Sequence, residues 1–184
     1  MLISTSRSCL MVIDLQEKLV PAINNADKIV SKTKLLLESA QIIDIPILFT
    51  EQYPKGLGPT LQELSSIITK DKNIVSKLTF SSVKDKEACS FLDIWKNSGK
   101  DQIVLCGAET HVCVLQTAAD LVQRGFEVYV ITDACGSRKQ SDQTAGYNRI
   151  KSFGASLVTT EMVIFEWLEV SGTDTFRKLS KLIK

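Results

Sequence analysis

Histidine is almost missing from this chain: His111 is the only one in 184 residues. One imidazole cannot supply two ligands to a metal, and any cysteine–histidine dyad would have to use it. The five cysteines are odd in number and widely spaced, with no CxxC pair. That leaves neither a disulfide framework nor a thiolate zinc cluster to be read from spacing. Long apolar runs are also lacking: none reaches the roughly 20 residues of a spanning helix. The first apolar run ends at Asp14 without the small-residue cleavage site of a secretory leader. No excess of one charge exists either. A formal net charge of +1 gives no electrostatic ground for binding nucleic acid or an anionic membrane. The modest basic set Arg177, Lys178, Lys181 and Lys184 reads as the solvated face of a final helix.

What remains is an ordinary globular composition, 44% hydrophobic and 23% charged, on a chain long enough for one well-buried core. Strand-like runs alternate with helical patterns along it. Ser8–Ile13 precedes a helix over Asp27–Ile43, and Ile45–Thr50 precedes a turn-rich loop, Glu51–Thr60. A short helix over Leu61–Ile68, a strand over Asn73–Ser76 and a helix over Glu87–Lys96 follow. Gln102–Cys106, the helix Val112–Arg124, Glu127–Thr132, the helix Asp142–Phe153 and Ala155–Thr159 continue the alternation, with closing helices from Glu161. No repeat, low-complexity tract or linker interrupts it. The pattern predicts one α/β domain over residues 1–184: a three-layer, Rossmann-like, doubly wound parallel sheet of order 3-2-1-4-5-6. Cys9, Cys106 and Cys135 lie in or beside apolar strands, as buried reduced thiols of a cytoplasmic protein do.

In that order, strands one and four flank the point where the winding reverses and ligands bind. Strand one ends at Asp14. Strand four leads through Gly107-Ala108-Glu109-Thr110-His111-Val112 to Cys113, at a helix start where a thiol ionises more readily. Cys113 is a candidate nucleophile, or a small buried helix residue. Asp14 is a candidate base, or a cap for the next element. His111 lies two residues from Cys113, and such residues face different sides of a helix, which disfavours a dyad. A carboxylate next to a thiol opposes ionisation unless a cation offsets it. Lys77, after the third strand, is the candidate cation, or a plain surface lysine. Gly56-Leu57-Gly58 belongs to a mobile loop over a pocket or to a simple turn. Ser137 and Arg138 follow strand five at the same sheet edge, positioned for a substrate or a subunit contact. Asp133 and the Phe165-Glu166-Trp167-Leu168 run read as structural, the latter as a packed helix at the core or an interface.

An ordered set of motifs resembles the isochorismatase-like cysteine hydrolase superfamily, which includes nicotinamidases and carbamoylsarcosine amidases. The matching pieces are Val12-Ile13-Asp14-Leu15-Gln16, Thr50-Glu51-Gln52-Tyr53-Pro54-Lys55-Gly56-Leu57-Gly58, Ser76-Lys77-Leu78-Thr79-Phe80-Ser81, Gly107 to Val114, and Asp133-Ala134-Cys135-Gly136-Ser137-Arg138. The resemblance implies a catalytic triad of Asp14, Lys77 and Cys113 that hydrolyses a small amide or related carbonyl compound through a thioester. It implies a cis peptide at Ala108–Glu109 and an oxyanion hole from the Glu109 and Cys113 amides. Gln16, Tyr53 and Phe80 read separately as the lining of a pocket or as structural residues. It also implies a homo-oligomer with a small-molecule substrate. The charge balance and the departures from the family pattern point to no nucleic-acid or membrane partner, no cofactor and no metal. Metal-dependent nicotinamidases carry an Asp-x-His pair where this chain has Glu51-Gln52-Tyr53. True isochorismatases lack the nucleophilic cysteine, so Cys113 argues against that activity. The alternative function is a catalytically idle module that keeps the fold for binding.

Overall fold

The computed structural model describes residues 1–68 and 73–183. Strand β1 (Ser8–Ile13) is buried along all six residues, which is why its sequence is a continuous apolar run rather than an alternating one. Helix α1 (Ala26–Ile42) turns Ile29, Val30, Thr33, Leu36, Leu37 and Ala40 inward at helical spacing. Strand β2 (Ile47–Gln52) is followed by two single turns, α2 (Pro54–Leu57) and α3 (Gln62–Ser65), and then by β3 (Asn73–Lys77). The side chain of Asp85 accepts from the backbone N–H groups of Glu87 and Ala88 and starts α4 (Lys86–Asn97), a cap worth about 1 kcal/mol. β4 (Gln102–Ala108) is buried throughout. A π-helical turn, Thr110–Val114, joins it to α5 (Leu115–Gln123). Then come β5 (Glu127–Gly136), α6 (Gln140–Ser152), β6 (Ser156–Val158), α7 (Thr160–Leu168) and α8 (Asp174–Ile183).

The six strands form one parallel sheet in the order β3-β2-β1-β4-β5-β6, with helices on both faces. α1, α7 and α8 pack against one another, and α5 packs against α6. The winding reverses between β1 and β4, so their carboxyl ends open a crevice. Gly107 lets those two strands meet there. It pairs with Ile13, has φ 125°, and any Cβ would overlap the Ile13 carbonyl oxygen. At the opposite end of the sheet Arg7 bridges Asp101 and Glu127, tying the starts of β1, β4 and β5 together. Hydrogen bonds from Gln102 and then Arg7 hold the Glu127 carboxyl down at about 2.

Several elements differ in extent from the sequence pattern. β5 runs to Gly136 because it continues past a register shift between Leu105 and Gly107 of β4. The helix expected over Leu61–Ile68 is a single turn, Gln62–Ser65, closed by the Ser66 backbone N–H on the Gln62 carbonyl. The helix expected from Val112 opens instead with the π turn. Arg177, Lys178 and Lys181 are exposed on α8 while Leu179 is buried, and Lys184 lies outside the described residues. Trp167 is buried and donates to Ser8 Oγ at 3.0 Å, whereas Phe165 is 46% exposed. Asp133 accepts from the Thr160 N–H and hydroxyl at the start of α7. Among the described residues, no helix is long and apolar enough to cross a membrane.

Candidate active site

Asp14 leaves β1 in a left-handed conformation, φ 51°, which aspartate tolerates better than most residues. Alternation along β2 puts Thr50 and Gln52 on one face. Thr50 Oγ1 donates to Asp14 Oδ1 at 2.7 Å. Lys77 closes β3 directly beside Gln52 in the register. Its ammonium donates to Asp14 Oδ2 at 2.7 Å, to Gln52 Oε1 at 2.8 Å and to the Phe80 carbonyl at 3.3 Å. Three donors thus meet three acceptors. The Asp14 and Lys77 side chains are both fully buried, so removing either would strand its partner's charge in the interior.

Cys113 sits in the π turn and is only 6% exposed. Asp14, Lys77 and the Glu109 backbone N–H all lie close enough to act on its thiol. Burial pushes the thiol up to about 12, and the Asp14 charge adds to the rise, while Lys77 and the Glu109 amide oppose it. Burial beside a carboxylate thus favours the protonated form of this thiol. A carboxylate oxygen has more than one acceptor site, so Asp14 has capacity for the thiol besides Thr50 and Lys77. The structure thus brings Asp14, Lys77 and Cys113 together.

The surroundings of that trio are only partly visible in the sequence. The peptide bond between Ala108 and Glu109 is cis. The Glu109 carboxylate accepts from the backbone N–H and the Nε of Arg138, whose side chain is 60% exposed. His111 is engaged away from the thiol: its Nδ1 lies 2.9 Å from Ser137 Oγ and its Nε2 4.0 Å from Asp142. Gly146 lets α6 approach this turn, because a Cβ there would press on the His111 backbone. Gln16 is completely buried. Its amide accepts from the Gln52 N–H and donates to the Gln52 and Gly58 carbonyls, so it braces the loop after β2. Tyr53 and Phe80 are about half exposed at 52% and 53%.

Glu51 points the other way from Thr50 and Gln52 and accepts from the Thr60 N–H and hydroxyl. With Glu17 N–H on the Pro59 carbonyl and Lys18 N–H on the Leu57 carbonyl, the Glu51–Thr60 loop is tied down along its length. Among the described residues, no three of histidine, cysteine, aspartate and glutamate gather as metal ligands. Sequence reasoning missed Thr50 and Gln52. Their only signal is a pair of alternate polar residues ending an otherwise apolar strand.

The family model for the isochorismatase domain matches residues 8–162. The chain belongs to the isochorismatase domain family. It is 40% identical over 177 residues to isochorismatase domain-containing protein 2A of Mus musculus, covering 96% of this chain and 82% of that one. Among solved structures it is similar to the MAR1 ribonuclease of Caenorhabditis elegans, with 35% identity and a TM-score of 0.92 over 100% of this chain and 92% of the other. The YcaC gene product of Escherichia coli, an octameric hydrolase of unknown specificity, superposes with a TM-score of 0.88 at 24% identity, covering 98% and 90% of the two chains. The isochorismatase fold seen here has its crevice at the β1–β4 switch point.

Proposed function

We propose that this isochorismatase-family protein is a metal-independent cysteine hydrolase of a small amide or related carbonyl compound. The observation that carries the reading is the buried Asp14–Lys77 pair, 2.7 Å apart, whose two charges both act on the Cys113 thiol. Asp14 takes the thiol proton as sulfur bonds to the substrate carbonyl carbon, and the carbonyl π pair moves onto oxygen. The amides of Glu109 and Cys113 receive that oxyanion. Collapse breaks the carbon–nitrogen bond, and the proton on Asp14 goes to the departing nitrogen. Water then attacks the thioester, giving a proton to Asp14; the carbon–sulfur bond breaks and the thiol is restored. Lys77 stays charged throughout and lowers the cost of negative charge on sulfur.

The substrate is small. Cys113 is nearly enclosed, and the cavities of about 570 Å³ beside α7 and about 400 Å³ at the start of β2 do not border it. Tyr53 and Phe80, held beside Lys77 through the backbone, supply apolar walls at the entrance. The five free cysteines suit a reducing, cytoplasmic setting. A homo-oligomer is part of the same proposal, with the half-exposed Phe80 and the 75% exposed Leu78 flanking the lysine as surface for a second copy to cover.

Release of ammonia from a panel of small amides, with Cys113→Ala as control, tests this reading. Turnover should fall by at least about 10³-fold in the variant, as when a nucleophile is removed. An acid quench should leave an acyl mass on the Cys113 peptide of the native protein. Turnover that survives Cys113→Ala would overturn the reading. If no amide is cleaved while ligands still bind the crevice, the idle binding module takes its place. RNA oligonucleotides belong in the same panel because of the Caenorhabditis relative's name. The near-neutral charge and the enclosed thiol favour the small carbonyl compound.

A further inference from the structure

We propose that Gln52 is a positioning residue that holds the Lys77 ammonium against Asp14, an inference that rests on the triad reading above. Its placement follows from the sheet. Gln52 and Lys77 pair side by side in the β2–β3 register, and alternation turns Gln52 toward the same crevice as Thr50. Gln52 Oε1 accepts from Lys77 Nζ at 2.8 Å, and Gln52 Nε2 donates to the Leu78 carbonyl at 2.9 Å. Those two partners fix which way round the amide lies, since the reverse orientation would set an NH₂ against an ammonium and oxygen against oxygen. The backbone on both sides of that amide is anchored in turn, because Gln16 bonds the Gln52 N–H and carbonyl.

The consequence is directional. Lys77 has three protons, and Asp14, Gln52 and Phe80 take all of them. The lysine has no N–H left for the Cys113 sulfur or for a substrate, so it acts on the thiol through its charge alone. That charge is effective only while Nζ stays close. Without Oε1 one N–H is unsatisfied, and the half-buried position of Gln52 offers a path by which the long lysine side chain can turn toward water. Gln52 thereby sets the distance between the cation and the sulfur.

The test reads Cys113 directly and needs no knowledge of the natural substrate. Iodoacetamide is applied to the full-length protein from pH 6 to 10, and labelling of the Cys113 peptide is timed by mass spectrometry in wild type, Gln52→Leu, Gln52→Glu and Lys77→Gln. In Gln52→Leu the labelling curve should move to higher pH by roughly 0.5 to 1, slowing the reaction at pH 8 by about 3- to 10-fold. Gln52→Glu should slow it further, because the new carboxylate draws the lysine and adds negative charge near sulfur. Curves for both glutamine variants that superimpose on wild type, with only the melting temperature lowered, would overturn the inference and leave Gln52 as a structural strut. A faster Gln52→Glu would also overturn it. If Lys77→Gln itself leaves the curve unmoved, the triad reading has failed; if Lys77→Gln moves it and the Gln52 variants do not, only this inference has.

Discussion

A lysine and an aspartate sealed from water make a demanding pair, and the residue scale is where that demand is measurable. Asp14 and Lys77 are both fully buried and 2.7 Å apart. Their attraction offsets a large desolvation cost, and either residue alone would be a stranded charge. Lys77→Met should destabilise the protein by about 3–5 kcal/mol, whereas Asp14→Asn combined with Lys77→Met should recover much of that loss. Urea denaturation of the two variants and wild type checks both outcomes; a double variant no better than the single one would mean the pair is not coupled. Residue types single out the members, a carboxylate ending strand one, a lysine ending strand three and a thiol after strand four, each with a structural alternative; only the family resemblance joins them as a triad. Its support is less legible. Thr50 looks like a plain strand end and Gln52 like part of the following loop, and only a register places Gln52 beside Lys77. His111 stands out as the lone histidine, yet the wide turn hands it to Ser137.

Elements decide whether those residues meet. Ser8–Ile13 is readable to the residue because every position in β1 is buried, so the apolar run and the strand coincide. The π turn at Thr110–Val114 is not, since an i→i+5 turn has no composition of its own; the same residues suit an α-helix start. That turn matters because it sets the Cys113 thiol where Asp14, Lys77 and the Glu109 amide act on it. The close approach of β1 and β4 at Gly107 is the other condition. Gly107→Ala meets a positive φ and the Ile13 backbone at once, neither of which can yield like a flexible side chain. The expected outcome is loss of soluble folded protein, or a large fall in melting temperature. Gly99, which has nothing nearby for a Cβ to meet, is the comparison site. Equal effects of alanine at positions 99 and 107 would show that the strand contact is not what Gly107 secures.

Taken as a whole molecule, the order β3-β2-β1-β4-β5-β6 is readable because alternating strands and helices with right-handed crossovers leave few alternatives. The interior thiols give this fold a pH signature. Burial pushes Cys9, Cys106 and Cys113 up from 9.0 to about 12, and Cys135 well above its ordinary value. A raised thiol keeps its proton in the folded state while the unfolded chain releases it. Stability is therefore full below pH 9 and declines as pH rises from there toward 12. Melting temperature should be flat from pH 7 to 8.5 and fall steeply above 9. A melting temperature that stays flat to pH 11 would contradict burial of the neutral thiols.

The central claim, that Asp14 and Lys77 act in opposite directions on the Cys113 thiol, is tested most directly by one measurement: the rate of Cys113 alkylation by iodoacetamide at pH 8 in wild type, Asp14→Asn and Lys77→Gln, each confirmed folded by its melting transition. Asp14 holds the proton on sulfur and Lys77 favours its loss. Asp14→Asn should label faster than wild type by roughly 3-fold or more, and Lys77→Gln slower by a similar factor, because each changes the fraction of thiolate at that pH. Rates unchanged in both variants, or a faster rate in Lys77→Gln, would contradict a triad built on these three residues.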